Sequence, residues 1–353
     1  MKPYLYIRGL RVAEHTVFCV QDGQKTYYDP ISNRKVAYSS GQQVKRSMLD
    51  ALSETLDEPR APITYNYEIN KKKELENKEP WSPCDPHYAD QLVGGWMRAR
   101  KNEITLKRRS PLSISAMRPL HPFLVSMNPE NITFDRSDSP EHNPVRVLNA
   151  AGQELSEEEI QDYLQANKRT LPRRHWIPDQ NGSNNRTTGL FVYDLAIDLK
   201  RLFTVATNQH EPELNPDMLE QLKEDGWEIS ADGEFLLCPE DRRREIAEGL
   251  AAAIVEWQIT SNQARTYSPQ STLAIAISEN ASLITAAIRA DLDEENPQRA
   301  VPIIDTVPKV DLYTSLAARA YVPGVSGTAD ALDQARIAIE ERLLAFDYAA
   351  AVL

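Results

Sequence analysis

The pattern of apolar residues predicts a strand region and then a helix near the start of the chain. Aromatic and β-branched residues dominate residues 4–22 between turn signals, which predicts one long strand or two short ones. In residues 40–56 the apolar positions recur every three or four residues, so this segment is predicted to be a helix with one buried face. The buried positions of that helix are predicted to be Val44, Met48, Leu49, Leu52 and Leu56.

Regular periodicity is lost between residues 58 and 186. Prolines from Pro59 to Pro178 are dense enough there to break long helices and interior strands. Because so long a stretch is not a plain loop in a compact domain, we expect an inserted subdomain with a small core of its own. The apolar candidates for that core are Trp81, Trp96, Met97, Leu112, Ile114, Met117, Leu120, Phe123, Leu124 and Val125.

Strand and helix patterns alternate again after residue 186. Residues 190–203 are predicted to be a strand whose alternate side chains face different environments, and residues 241–257 a helix with one apolar stripe. The Asp232-Gly233 pair predicts a hairpin turn. The other predicted elements are helices at 216–225 and 329–347, strands at 226–230 and 234–238, and sheet or short helical segments at 272–277 and 281–292. Since no regular strand–helix repeat is present, the pattern favours an α+β core.

The composition is that of a folded chain. Its 353 residues suffice for two ordinary domains or for one core with large insertions, and 41% hydrophobic with 26% charged residues is typical of globular proteins. No apolar run reaches the roughly 20 residues of a membrane span, and Met1 to Tyr4 do not begin a secretory signal. We expect a cytoplasmic protein without a membrane partner, in which the widely spaced Cys19, Cys84 and Cys238 are reduced.

The charge pattern bears on nucleic-acid binding in two opposite ways. A net charge of −12 counts against it, because neutralising phosphates is the main source of non-specific affinity. Yet residues 98–109 hold six cations against one acid, and residues 168–174 hold four cations and no acid. The sequence therefore favours a basic groove inside an acidic shell. Ordinary solvated helical faces are the other interpretation.

Small polar residues precede the first predicted helix. The main-chain amides of Ser39, Ser40 and Gly41 can bind an anion at a helix start, because the unpaired N–H groups and the helix dipole both favour negative charge. Lys45 and Arg46 follow within about one turn. The segment is either a backbone-phosphate site or an ordinary N-cap followed by two solvated cations.

The familiar catalytic motifs are absent from the sequence. It has no Gly-x-x-x-x-Gly-Lys-Ser/Thr phosphate loop, no Gly-x-Ser-x-Gly elbow and no His-Glu-x-x-His helix. Cys84 and His87 have the separation of half a zinc site, but no second half follows, so a loop is the preferred interpretation. We expect no catalytic residue, no metal and no cofactor.

Three segments resemble one protein family. They are the strand at Tyr4–Val12, the Ser-Ser-Gly-Gln-Gln-Val-Lys-Arg segment at Ser39–Arg46, and Gly189–Leu202, which runs into Ile-Asp-Leu-Lys-Arg. Together they resemble the crRNA-binding backbone subunit of CRISPR Cascade complexes, the Cas-seven or DevR-like branch of the RAMP superfamily. In that family a strand is followed by a loop and by a helix that opens with a Ser-Gly-Gln/Ser-x-Lys/Arg type of motif.

The resemblance implies a ferredoxin-like palm, similar to an RNA-recognition motif, with fingers inserted after the first helix and a β-hairpin thumb. Part of 160–186 is a second candidate for the thumb. The implied domains are the first part of the palm at 1–57, the inserted finger subdomain at 58–186, the central palm strand at 187–203, a candidate thumb at 204–240 and the second part of the palm at 241–353.

The resemblance also implies a function. Several copies of a non-catalytic subunit of a type I CRISPR-Cas effector polymerise head to tail along one crRNA, which pairs with target DNA in antiviral defence. Guide pairing reads the sequence and the protein reads the shape of the backbone. The implied partners are crRNA, target DNA through the guide, further copies of the chain and other Cascade subunits.

Cations, main-chain amides, small polar groups and aromatic rings are what single-stranded RNA requires of such a site. Arg8 and Arg11 lie on opposite faces of their strand because their separation is odd, and we favour Arg8. Trp96 either stacks on a base or anchors a core, and Arg173 and Arg174 contact either RNA or a neighbouring subunit. The predicted RNA-binding residues are Arg8, Ser39, Ser40, Gly41, Gln42, Gln43, Lys45, Arg46, Arg98, Arg100, Lys107, Arg108, Arg109, Arg173 and Arg174.

Two alternative functions stay open. A type III-like RNA-cleaving subunit would use an aspartate of the loop before the first helix, Asp22 or Asp29, to position a metal or an attacking hydroxyl. In the other interpretation of these two aspartates, both are turn residues. The second alternative is an assembly or regulatory protein that does not hold RNA.

Overall fold

The structure is a computed structural model that describes residues 2–18, 23–100, 102–129, 145–172, 185–259 and 268–350, together with the backbone of 132–135 and 174–177. The strands are β1 (Tyr4–Thr16), β2 (Thr26–Asp29), β3 (Arg34–Ala37), β4 (Thr64–Ile69), β5 (Leu75–Trp81), β6 (Trp96–Arg98), β7 (Leu106–Arg108), β8 (Leu112–Ile114), β9 (Arg118–Pro119), β10 (Val125–Asn128), β11 (Ile132–Asp135), β12 (Arg174–Ile177), β13 (Arg186–Asp198), β14 (Thr204–Ala206), β15 (Glu228–Ile229), β16 (Phe235–Leu237), β17 (Thr272–Ser278), β18 (Ile288–Leu292), β19 (Ala300–Ile304) and β20 (Asp311–Thr314). The helices are α1 (Gly41–Leu56), α2 (Ala89–Gly94), α3 (Glu157–Ala166), α4 (Leu199–Leu202), α5 (Pro216–Glu224), α6 (Glu240–Glu256), α7 (Ala281–Ala287) and α8 (Ala331–Leu344).

The main sheet is antiparallel, and β1 lies inside it. Its order is β10–β13–β1–β17–β20, with β8 and β9 also paired to β13. β1 pairs with β13 from Tyr4 opposite Asp198 to Ala13 opposite Gly189, and its other edge pairs with β17. The strand predicted at the start of the chain is therefore confirmed as β1, and the one predicted at 190–203 is β13, which ends at Asp198.

Alternate residues of β1 enter two apolar clusters on opposite faces of the sheet. Leu5 and Ile7 pack in the first cluster, which includes residues of α1, α6 and α8. Leu10 and Val12 pack in the second, which includes residues of α7. Because both faces are covered, almost every position from Leu5 to Ala13 is buried. This burial is the main source of the sheet's stability.

Helices α1 and α6 pack against each other on the first face. Val44, Met48 and Leu52 of α1 are buried there, as the spacing of apolar residues predicts. At Gly249 of α6, a Cβ atom would lie 2.9 Å from Cδ2 of Leu56. The absence of a side chain at Gly249 therefore leaves room for Leu56 of α1.

Gly9, in the middle of β1, makes room for an aromatic ring. It lies opposite Tyr193 in the β1–β13 register, and a Cβ atom there would lie 2.3 Å from the ring Cζ. The Tyr193 hydroxyl donates a hydrogen bond to the Ile254 carbonyl of α6 at 3.0 Å, and the ring meets Trp257 edge to face. One tyrosine thus joins the sheet to α6 across a position that only glycine leaves open.

The segment 58–186 contributes to the main core. Trp96, Leu112, Met117 and Val125 lie in the first cluster with residues of α1 and β13, because β8, β9 and β10 hydrogen-bond directly to β13. The expectation that these four residues form a separate small core is therefore wrong. Elsewhere in the segment, β4 and β5 form an exposed hairpin, and α3 has no buried residue. The domain boundaries stay a prediction.

The later elements follow the predicted pattern. The Asp232-Gly233 turn is confirmed, since the Gly233 N–H donates to the Ser230 carbonyl at 2.9 Å and Gly233 has φ 77°. Residues 281–292 divide into α7 and β18, and β14, β16 and β15 form a small sheet. No helix among the described residues is both long and apolar enough to cross a membrane. The predicted helices at 216–225, 241–257 and 329–347 correspond to α5, α6 and α8.

Candidate nucleic-acid-binding surface

Helix α1 begins within the Ser-Ser-Gly motif. Ser40 is its N-cap, and the Ser40 Oγ accepts a hydrogen bond from the Gln43 N–H at 3.4 Å. Ser39 is fully buried, and its N–H and carbonyl pair with Met117 at 2.9 and 3.0 Å. The Ser39 hydroxyl donates to Gln43 Oε1 at 2.9 Å, whereas Gln42 is exposed. The motif therefore attaches the start of α1 to the segment that follows β8.

Gly41 brings this helix start close to β8. A Cβ atom at Gly41 would lie 3.0 Å from the Ile114 carbonyl oxygen and 3.3 Å from the Ser115 carbonyl carbon. The Ser115 Oγ in turn accepts a hydrogen bond from the Asp194 N–H of β13 at 2.8 Å. The start of α1, β8 and β13 thus form one connected framework.

Lys45 is committed to contacts within the fold. Its Nζ donates hydrogen bonds to the Gly94 carbonyl at 2.7 Å and to Ser110 Oγ at 2.6 Å. Burial, and to a smaller extent the nearby charge of Arg108, lowers the pKa of Lys45 to about 8. Lys45 therefore joins α1 to the last residue of α2 and to Ser110.

Arg46, by contrast, is exposed. Its Nε lies 2.9 Å from Asp50 Oδ2, one turn further along α1. Such an exposed pair contributes between about 0 and 1 kcal/mol and is screened by salt. Arg46 can therefore exchange Asp50 for a phosphate at little cost.

Arg8 is buried in an ion pair. Its Nε and Nη2 lie 2.6 and 3.1 Å from the Asp194 carboxylate, and its Nη1 donates to the Ile288 carbonyl at 2.9 Å. The Arg8 side chain is 8% exposed. Arg118 Nη2 lies 3.0 Å from the same carboxylate, and 40% of its side chain is exposed. Arg118 is thus the cation of this cluster that reaches solvent.

Arg11 lies on the opposite face of β1, as the odd separation predicts. Its guanidinium is stacked 4.2 Å from the centre of the Trp257 ring, and its Nε donates to Thr272 Oγ1 at 3.1 Å. Burial lowers the pKa of Arg11 to about 10.

Residues 107–109 divide between core and surface. Arg108 is buried, donates to the carbonyls of Leu92 and Thr204, and has a pKa lowered by burial to about 10. Lys107 and Arg109 are exposed. These two cations and Arg201 line a cleft of about 800 Å³, together with residues 206–213. The Glu213 carboxylate of that cleft lies 3.6 Å from Arg201 Nη1.

Arg98 and Arg100, at the start of the same basic window, are half-buried. The Arg100 guanidinium stacks 4.2 Å from the centre of the Trp81 ring, and its Nη1 lies 3.5 Å from Glu103 Oε1. Arg98 is the last residue of β6. Trp96 is buried and its Nε1 donates to the Glu213 carbonyl at 2.7 Å. Of the two roles open for Trp96, the structure therefore shows the core anchor.

Arg173 and Asp22 lie outside the described residues. Arg174 is the first residue of β12, where its backbone lies opposite Asp135 of β11. Asp29 closes the turn between β2 and β3: its Oδ1 accepts hydrogen bonds from the Ile31 N–H, the Ser32 N–H and the Ser32 hydroxyl. The Ser32 N–H is the first cause of the lowered pKa of Asp29.

Three arginines that the sequence does not predict as RNA-binding residues become candidates in the structure. Arg118 becomes a candidate because Met117, beside it, bonds to Ser39. Arg201 lines the cleft, and Arg34 stacks 5.0 Å from the centre of the Phe123 ring beside the turn that holds Asp29. Arg201 lies inside the Ile-Asp-Leu-Lys-Arg segment, which was the one available signal. Arg118 is an isolated cation in the sequence and Arg34 adjoins only Lys35, so neither belongs to one of the two basic windows.

Comparison with solved structures finds similar chains, among them two chains of CRISPR RNA-guided surveillance complexes. No protein-family model matches the chain, and no curated protein matches it. A chain of a CRISPR RNA-guided surveillance complex, pre-nicking, is similar at 10% identity and a TM-score of 0.45, over 96% of this chain and 88% of that one. A chain of another CRISPR RNA-guided surveillance complex has 11% identity and a TM-score of 0.39, over 96% and 83%. At these TM-scores, neither likeness assigns a family or an activity to this chain.

Proposed function

We propose that the chain is a non-catalytic, crRNA-binding backbone subunit of a type I CRISPR effector, and that several copies line one guide RNA. The observation that supports this most is the position of the Ser39–Arg46 motif. It starts α1, the helix that follows the interior strand β1, and it is connected through Ser115 to β13. The three segments that resemble the family are thus neighbours in space.

We also propose that the core is a ferredoxin-like palm. The strands β10, β13, β1 and β17 are neighbours in that order, α1 follows β1, and α6 lies between β13 and β17 in the chain. Counting β8 to β10 as the second strand, this is the β-α-β-β-α-β connection of ferredoxin-like folds. The palm would be extended by β20 at the edge of β17.

Four exposed or half-exposed cations support a phosphate-binding role for this surface. Arg46 and Arg118 lie beside the start of α1, and Lys107 and Arg109 line the adjoining cleft. Cations on phosphates fix the position of a strand and carry no sequence information. That suits a guide whose bases must stay available for pairing.

The remaining parts of the proposal follow from packing. Asp29 makes the hydrogen bonds of a turn residue, which supports a subunit without RNA cleavage.

Leu214, Leu222 and Leu236 anchor the segment 204–240 in the first cluster. This packing favours the alternative segment for the thumb, and we propose that it is part of 160–186, which lies between β10 and β13 in the chain.

The first prediction concerns guide binding. The purified chain is expected to carry nucleic acid, and after its removal to bind a synthetic crRNA at low salt in a fluorescence-anisotropy titration. Arg46→Gln is expected to raise the Kd several-fold, since one phosphate contact is lost. Arg244→Gln is the matched control, because Arg244 also forms an exposed pair one turn away, with Glu240. A nucleic-acid-free monomer that does not bind crRNA at low salt would contradict the proposed function.

A further inference from the structure

The hairpin of β4 and β5 presents an uncovered apolar face. Tyr65, Tyr67 and Ile69 are alternate residues of β4, so they lie on one side of the hairpin, and Leu75 is paired with Ile69. Their exposed fractions are 66% for Tyr65, 59% for Tyr67, 74% for Ile69 and 72% for Leu75. Four large apolar side chains at this exposure form a contiguous patch, which marks a binding surface.

The opposite side of the same hairpin is ionic. Glu68 and Glu76 both lie 3.2 Å from the Nζ of Lys78, which sits between them. The two acids share one lysine, which compensates part of their charge, and they do not face the tyrosines. The hairpin has one apolar side and one polar side, although neither side packs on a core.

Three consecutive lysines, 71–73, form the tip of the hairpin. The turn is closed by the Asn70 N–H, which donates to the Glu74 carbonyl at 3.0 Å, and by the Lys73 N–H, which donates to the Asn70 carbonyl at 2.9 Å. All three lysines are exposed. Positive charge thus lies at the end of the apolar face, where a polyanion in contact with that face would meet it.

We propose that this hairpin is a second nucleic-acid site, which binds a single strand by stacking bases on Tyr65 and Tyr67 and holding phosphates at lysines 71–73. Residues two apart on a strand are separated by about 6.6 Å. That is twice the roughly 3.4 Å rise per nucleotide of a stacked strand, so each ring can take its own base. Stacking of this kind does not depend on sequence and is open only to unpaired bases.

The site is distinct from the surface around α1. None of its residues belongs to the cations or the helix start that support guide binding. A ring can stack on a base of RNA or of DNA, so the ligand is defined as a single strand of either sugar.

Photo-crosslinking tests the proposal directly. The probes are a 20-nucleotide RNA with 4-thiouridine, a DNA of equivalent sequence with 4-thiothymidine, and the same DNA as a duplex. Crosslinks from both single strands to the peptide that holds Tyr65 and Tyr67, and none from the duplex, are expected. The Tyr65→Ala/Tyr67→Ala variant is expected to weaken single-strand binding about tenfold or more. The matched control is Tyr28→Ala, an exposed tyrosine of β2.

Other outcomes would overturn the hairpin site. Crosslinks confined to α1, with unchanged affinity in the double tyrosine variant, would remove it while leaving guide binding intact. Self-association of the wild-type chain that the double variant abolishes, without any change in nucleic-acid affinity, would identify a second copy as the occupant. Because both tyrosines are exposed, the variants are expected to unfold at the wild-type temperature, which a thermal scan verifies.

Discussion

Asp194 holds two arginines that differ in their access to water. Arg8 is enclosed between β13 and the Ile288 carbonyl, whereas Arg118 reaches solvent. The sequence predicted that Arg8 and Arg11 face opposite sides of β1, and the structure confirms this. The sequence could not show that Arg8 forms an ion pair with a residue 186 positions away, because an ion pair between two strands leaves no local pattern in the sequence.

The loss in free energy of unfolding on removal of Asp194 should reveal that Arg8 is buried and Arg118 is exposed. Asp194→Ala is expected to lower the free energy of unfolding by about 3 kcal/mol or more, because it leaves the buried Arg8 charge without its counter-ion. Arg118→Ala is expected to cost less than about 1 kcal/mol, as for other exposed pairs. Urea denaturation of both variants provides the measurement, and equal losses would mean that Arg8 is not enclosed as described.

The loop before α2 is joined to the end of α5 through one histidine. His87 Nδ1 lies 2.7 Å from Asp85 Oδ1, and Nε2 lies 3.1 Å from Asp225 Oδ2. The His87 carbonyl accepts a hydrogen bond from Arg242 at 3.3 Å. The hydrogen bond to Asp85 is the first cause of the raised pKa of His87, and the charge of Asp225 adds to it.

This contact predicts a pH dependence of stability. A raised pKa in the folded state means that the contribution is complete below about pH 6.5, the ordinary histidine value, and is lost as the pH rises through the folded-state value. Wild type is expected to exceed His87→Gln in unfolding free energy at pH 6, by less than about 1 kcal/mol because the group is partly exposed. The difference should shrink by pH 8.5. A difference that grew with pH would contradict the contact.

Helices and long strands were predictable, but the role of the middle segment was not. The spacing in α1 predicted its buried face because Val44, Met48 and Leu52 all pack into one apolar cluster. The strands β8, β9 and β10 contain only two to four residues each and adjoin prolines. They are therefore too short to show the alternation of apolar and polar residues by which a strand is recognised in a sequence. Their place beside β13 depends on long-range pairing, which is why an independent core was expected there.

The chain combines an acidic total charge with local groups of cations. The net charge is −12, yet Lys107, Arg109 and Arg201 share one cleft, and Arg46 and Arg118 lie beside the start of α1. The basic window at 98–109 predicted part of this surface. It could not reveal that Arg108 is turned into the core between its two exposed neighbours, since that follows from the tertiary packing of β7.

Salt dependence should report how many of these cations contact RNA. For a single strand, the slope of log affinity against log salt changes by about 0.7 for each phosphate contact. Lys107→Gln/Arg109→Gln is therefore expected to make the slope for a synthetic crRNA shallower by about 1.4. Lys223→Gln/Arg244→Gln removes two exposed cations outside the cleft and should leave the slope unchanged. An unchanged slope in the first variant would exclude the cleft from the guide-binding surface.

The strand β1 is synthesised well before the two strands that pair with it. Its two sheet partners end at Asp198 and Ser278, so the strand leaves the ribosome long before either neighbour exists. At about 5 to 20 residues per second, roughly 13 to 52 s pass between translation of Thr16 and of Ser278. Until β13 has emerged, both edges of this apolar strand are open to unwanted pairing, and the edge that pairs with β17 stays open for the whole interval. The nascent chain should therefore depend on chaperones until β17 has emerged.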